Sequence, residues 1–89
     1  MSFTARTLVH AAMAAVSPVV VGDRVLTSQA ALAWTMGVRP ESVSRWGRGG
    51  ISAARVFELA QIAGVVLTTA QVFQIADGKA VDVDSGGSA

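Results

Sequence analysis

Apolar residues recur every three or four positions in two short segments near the middle of the chain, residues 29–36 and residues 40–48. This spacing predicts two consecutive helices, each turning one apolar face toward a shared core. Gly37 lies between them and can adopt the positive φ that often ends a helix. Pro40 suits the first turn of the second helix, where a missing N–H removes no helical hydrogen bond. The pattern therefore predicts two helices joined by a tight turn.

Residues 28–48 as a whole fit a helix-turn-helix, a motif that can place its second helix in the DNA major groove. Ala33 falls where the two helices would cross, and a side chain larger than methyl would push their axes apart. Trp34 is expected to be partly exposed. The positions predicted to face inward are Leu32, Met36, Val38, Val43 and Trp46.

This segment resembles the Cro-like and phage-repressor-like helix-turn-helix proteins, including the small antitoxins of that type. The resemblance is carried by Gln29–Ala33, Met36–Val38 and Val43–Trp46, and it extends more weakly over residues 51–67. It implies a mainly α fold, a lambda-repressor/Cro-like helix-turn-helix domain of about four to five helices with room for a short β-hairpin. It also implies sequence-specific binding of double-stranded DNA.

The chain departs from this pattern in two places. Arg39 stands where many relatives have a Ser or Thr that caps the recognition helix, which weakens the predicted helix start. The stretch that precedes Gln29 is longer than is usual in the family. Within it, residues 18–27 can form a β-hairpin around a Gly-Asp turn, or a connector that tucks its valines into the core. We favour the connector, because a two-stranded hairpin alone is marginally stable.

Helices are also predicted on either side of the motif. The first covers residues 4–16, with Thr4 as its cap and apolar residues at helical spacing. Ser28 is a candidate cap for the first helix of the motif. Ser52 is a candidate cap for a further helix that Gly64 ends.

The C-terminal part of the sequence supports two structures equally. Residues 69–75 can form a short helix capped by Thr69, or residues 71–75 and 80–84 can pair as strands around an Asp-Gly turn. Cro proteins dimerise through a C-terminal strand pair, and residues 72–81 resemble such a hairpin. The residues predicted to form a dimer surface are Val72, Phe73, Ile75, Val81 and Val83.

Length, cysteine content and charge fit one small DNA-binding domain. We assign residues 1–84 of the 89-residue chain to it and residues 85–89 to a disordered tail. The sequence has no cysteine, which excludes disulfides and thiolate metal sites and suits a reducing cytoplasm. The formal net charge of +1 is uneven, with +3 on residues 1–64 and −2 on residues 65–89. Positive charge thus gathers around the predicted recognition helix, and we expect a cytoplasmic, nucleoid-associated protein.

The composition argues against membrane and catalytic functions. The two longest apolar runs are interrupted by Pro18 and Gly64 among other residues, and neither is predicted to span a bilayer. His10 is the one histidine of the sequence, and no phosphate-binding glycine loop is present. We therefore expect no enzyme activity, no catalytic residue, no metal site, no cofactor and no small-molecule ligand.

The residues expected to contact DNA lie in and around the motif. Arg45 is the strongest candidate for reading a base, because an arginine donates two hydrogen bonds to guanine. The candidate base contacts are Arg39, Glu41, Ser42 and Arg45. Side chains and N–H groups at the start of the first motif helix can bind phosphate, and the family commonly uses a glutamine matched here by Gln29. The candidate phosphate contacts are Ser28, Gln29, Ser44 and Arg48.

The predicted function is that of a sequence-specific transcriptional regulator, a phage-type repressor that binds a palindromic operator as a homodimer through the helix at residues 40–48. Two recognition helices are needed because one alone buries little DNA surface. Two alternatives stay open. One is a helix-turn-helix module that binds another protein, which the low net charge and Glu41 both allow. The other is an architectural or excision protein that bends DNA.

Overall fold

A computed structural model describes residues 2–83, and this part of the chain is mainly helical, as predicted. Its five helices are α1 (Ala5–Val16), α2 (Ser28–Met36), α3 (Pro40–Gly47), α4 (Ala53–Ala63) and α5 (Thr69–Ala76). Its four short strands are β1 (Ser2–Phe3), β2 (Val19–Val21), β3 (Arg24–Leu26) and β4 (Val81–Asp82). The tail predicted at residues 85–89 lies outside the described residues.

Side-chain caps begin the two helices that flank the motif on its N-terminal and C-terminal sides. Thr4 caps α1 in a reciprocal arrangement: the Thr4 N–H donates to Oγ1 of Thr7 over 2.7 Å, and the Thr7 N–H donates to Oγ1 of Thr4 over 3.3 Å. Ser52 caps α4 by accepting from the Arg55 N–H over 3.3 Å. Both predicted caps are therefore confirmed.

The connection between α1 and α2 is a β-hairpin, so the favoured connector was wrong. Strands β2 and β3 pair antiparallel, with Val20 opposite Val25, around a two-residue turn in which Gly22 has a φ of 63°. One side of the hairpin is half-buried, and Oγ of Ser17 accepts from the Ser28 N–H over 2.8 Å across its base. This support from the rest of the domain offsets the weakness of an isolated hairpin.

The C-terminal segment forms a helix followed by a strand. Residues 69–76 are helical, and the cap is Thr68 rather than Thr69, since Oγ1 of Thr68 accepts from the Gln71 N–H over 3.1 Å. The hairpin interpretation is wrong: β4 pairs with β1 at the opposite end of the chain, with Val81 opposite Phe3. Gln71 Nε2 also donates to the carbonyl of Asp82 over 3.2 Å, which joins α5 to this sheet.

The core is apolar and is built around α1, which packs against α2, α3 and α4. The largest fully buried side chains come from every helix: Leu8, Leu32, Val43, Val56, Leu59 and Ile75. Such close-packed burial is the main source of stability in a domain of this size. Within residues 2–83, every helix is too short or too polar to cross a membrane.

Candidate nucleic-acid interface

The turn between α2 and α3 is closed by a left-handed residue and by backbone hydrogen bonds. Gly37 has a φ of 68°, as predicted, and the N–H of Val38 donates to the carbonyl of Ala33 over 3.0 Å. Ala33 is itself buried, in keeping with its predicted place at the helix crossing. The two helices and their three-residue turn thus form the arrangement that the sequence pattern predicts.

A side chain adds a second link between the two helices. Nε2 of Gln29, in the first turn of α2, donates to the backbone carbonyl of Pro40, the first residue of α3, over 2.6 Å. The predicted role of Gln29 as a phosphate contact is therefore weakened, because one of its two amide hydrogens is already bonded within the protein. The Gln29 side chain thus links the first turn of α2 to the first residue of α3.

The inner face of α3 is held in the core by Val43 and Trp46, which are both buried as predicted. The guanidinium of Arg55, on α4, lies over the Trp46 ring with Cζ 5.6 Å from the ring centroid. Nη1 of the same arginine lies 3.1 Å from Oε1 of Glu58. Arg55 thus joins α4 to the back of α3, and its guanidinium is engaged inside the protein.

The outer face of α3 carries the predicted base contacts. Arg39, Glu41 and Arg45 are exposed, whereas Ser42 is half-buried. Among the described residues, Arg55 pairs with Glu58, whereas Glu41 and Arg45 form no ion pair and are free to meet a ligand. Glu41 lies in the first turn of α3 and Arg45 in its last, where each charge is favourable to the helix dipole.

Ser28 is not the cap of α2, contrary to the prediction. The N-cap of α2 is Thr27, and Ser28 is the first helical residue, with a φ of 53° that few non-glycine residues adopt. Because its N–H donates to Ser17, this group is not available to a phosphate. The local signal was ambiguous, since Thr27 and Ser28 are both residue types that cap helices.

An open cleft of about 350 Å³ lies between α1 and α3 and is lined by three of the four predicted phosphate contacts, Gln29, Ser44 and Arg48. It also contains Arg6 and His10 of α1, which were not predicted to lie in the interface. Their four-residue spacing on one helix was the available signal, but only the packing of α1 against α3 brings them to the motif.

The predicted dimer residues are mostly occupied within the chain. Val72, Ile75 and Val81 are buried in the core, and Val83 is half-buried against it, so these residues cannot form a free surface. The reason is that α5 packs on α4 and β4 pairs with β1. Phe73 alone of the five is exposed, at 60% of its surface.

Other large apolar side chains are exposed instead. Phe57 on α4 is 52% exposed, and Val66, in the loop after α4, is 87% exposed. Both line an open groove of about 360 Å³ along α4. Trp34 on α2 is exposed as well, as predicted. Exposed apolar surface of this kind is typical of interaction sites.

The acidic side chains and the histidine do not gather into a metal site anywhere in residues 2–83. Comparisons of the chain with known protein families, with curated proteins and with solved structures give no match.

Proposed function

We propose that this protein is a sequence-specific DNA-binding regulator that reads DNA with the outer face of α3. The observation that carries the proposal is the contrast between the two faces of this helix. Val43 and Trp46 bury the inner face, while Arg39, Glu41 and Arg45 are exposed on the other side and form no ion pair within residues 2–83. A rigidly held helix with free polar side chains is what direct readout in a major groove requires.

Each exposed side chain has a chemistry that fits a base edge. Arg45 can donate two hydrogen bonds to O6 and N7 of a guanine, and Glu41 can accept from N4 of a cytosine. Arg39 precedes the helix and can reach a base or a phosphate. Ser42 is half-buried and is therefore expected to contribute less to base recognition than the exposed side chains. We assign the reading of sequence chiefly to Arg45.

Homodimerisation on a palindromic operator is part of this proposal. A short recognition helix of eight residues reads few base pairs, and two half-sites about 34 Å apart would double the contact. The buried residues of α5 and β4 cannot join the two copies. We assign the dimer surface instead to three exposed apolar residues, Phe57, Val66 and Phe73. Such a dimer, associated with the nucleoid, would repress by occluding a promoter in the manner of a phage-type repressor.

A second candidate function is a module that binds another protein. It is favoured by Trp34, which is 59% exposed on α2, and by the low net charge of +1. The two functions differ in their response to salt. Binding to DNA releases counterions and weakens steeply as ionic strength rises, whereas a mainly apolar protein contact does not.

The experiment that tests the proposal is selection of bound duplexes from a random DNA pool at near-physiological salt. We expect enrichment of a motif with two related half-sites, and an affinity that falls as salt is raised. The absence of any enriched motif, with equal retention of all duplexes, would contradict sequence-specific reading. Weak retention that does not depend on salt would favour the protein-binding module.

A further inference from the structure

We propose that the cleft between α1 and α3 binds a backbone phosphodiester of the DNA, with Arg6 and His10 of α1 as its ligands beside Ser44 and Arg48 of α3. This inference rests on the proposed function. It extends the interface from the helix-turn-helix to the first helix of the domain and assigns a role to two residues outside the motif.

The charge of the cleft selects an anion. Two arginines and a histidine line it, together with Ser44 and Gln29, and none of the described residues that line it is acidic. Arg6, His10 and Arg48 are all exposed. Within residues 2–83, none of the three side chains has a hydrogen bond or an ion pair inside the protein. Their donors are therefore available to phosphate oxygens.

The spacing of the polar groups suits a bridging ligand. Arg6 and His10 are four residues apart on α1, and Ser44 and Arg48 are four residues apart at the end of α3, so each pair occupies one side of its element. The packing of α1 on α3 sets the two pairs on opposite sides of one opening. A phosphate between them would meet donors from both helices.

The apolar part of the cleft fits the sugar next to a phosphate. Val9 and Met13 of α1 and Val43 of α3 contribute to its lining, and Gly47 adds no side chain there. Deoxyribose presents carbon atoms between successive phosphates, so an apolar floor beside cationic walls matches a nucleic-acid backbone better than an isolated inorganic ion. This observation favours a phosphodiester over free phosphate.

The cleft also lies beside the face of α3 that we assign to base reading, where the phosphates of the groove would lie. At about 100° per residue, Ser44 is rotated from Arg45 by roughly 100°, and Arg48, three residues after Arg45, by roughly 60° to the same side. They therefore border the face that we assign to base reading. When a recognition helix enters the major groove, its flanks meet the phosphates that line the groove, and such contacts fix its register.

The test compares Arg6→Gln, His10→Gln and the double variant with Arg24→Gln, a matched control on the exposed hairpin away from the cleft. Affinity is measured for the selected duplex and for an unrelated duplex over a range of salt concentrations. For Arg6→Gln we expect a loss of about tenfold on both duplexes, the size of one charged hydrogen bond. The slope of log K against log salt should fall in magnitude by about 0.9, and the selected motif should not change.

Each outcome separates this inference from the function on which it rests. If the wild type binds DNA and Arg6→Gln binds it with the same affinity as Arg24→Gln, the cleft assignment alone is overturned. Failure of the wild type to bind any DNA overturns both. A titration with sodium phosphate, followed by the ring resonances of His10, distinguishes the sources of phosphate: saturable shifts with phosphate but none with DNA would overturn the DNA assignment. Circular dichroism confirms that the variants are folded.

Discussion

The side chain of Gln29 holds the first residue of the recognition helix in place, with its Nε2 donating to the carbonyl of Pro40 over 2.6 Å. Gln29 lies in the first turn of α2 and Pro40 is the first residue of α3, so the bond joins the two helices of the motif. Backbone bonds close the same turn from inside. The position of α3 relative to α2 thus depends on a polar contact as well as on the buried apolar face of α3.

The substitution Gln29→Ala should lower the free energy of unfolding by about 1 kcal/mol, the usual net value of one protein hydrogen bond. Urea unfolding followed by circular dichroism measures the change. The matched control is Gln74→Ala, which removes an exposed glutamine from α5. Equal stabilities of the two variants would show that the Gln29 bond contributes nothing.

Two glycines of the motif should respond to alanine with opposite signs. Gly37 has a φ of 68°, so Gly37→Ala should destabilise the domain by about 1 kcal/mol. Gly47, the last residue of α3, has an ordinary φ and no atom within 4 Å of an added Cβ. Gly47→Ala should therefore stabilise by about 0.5 kcal/mol. A shift of both melting temperatures in the same direction would contradict this account of the turn.

The contact of Arg55 with Trp46 should be worth more than its ion pair with Glu58. Arg55→Ala removes both and should cost about 0.5–1 kcal/mol. Glu58→Ala removes the pair alone, and both partners are more than a third exposed, so its cost should be no more than a few tenths of a kcal/mol. Urea unfolding compares the two variants. Equal losses of unfolding free energy in the two variants would show that the stabilisation comes from the ion pair and not from the contact with Trp46.

The elements that depend on local chemistry could be predicted from the sequence. The caps Thr4 and Ser52, the glycine that ends α2 and the proline that begins α3 each act through neighbours a few residues away. Apolar spacing then indicates which face is buried, as it did for Trp46. The exposed face of α3, with Arg39, Glu41 and Arg45, followed from the same periodicity.

The features that join distant parts of the chain could not be predicted. The alternation of residues 81–84 indicates a strand, but nothing local shows that its partner is β1. For this reason Val81 was assigned to a dimer surface that the chain itself occupies. Likewise, Arg6 and His10 reach the motif only because α1 packs against α3. The Gln29 bond to Pro40 depends on the same kind of tertiary placement.

Dimerisation should depend on the exposed phenylalanines. Phe57→Gln and Phe73→Gln each remove apolar surface that is more than half exposed, so neither should unfold the domain. We expect each to shift sedimentation equilibrium toward the monomer and to weaken binding to a two-half-site duplex more than to a single half-site. Trp34→Gln is the control, because Trp34 is exposed on α2 outside the proposed dimer surface. If Trp34→Gln alone shifts the sedimentation equilibrium toward the monomer, the dimer surface lies on α2.

The central claim, that the outer face of α3 reads DNA sequence, is tested most directly by repeating the random-pool selection with Arg45→Ala. The side chain is exposed and has no ion-pair partner in the part of the chain that the structure describes, so the variant should keep the wild-type fold and stability. We predict that the preference for one guanine in each half-site is lost, a change of about 1–3 kcal/mol in discrimination, while the other positions keep their preference. An enriched motif identical to that of the wild type would contradict the claim.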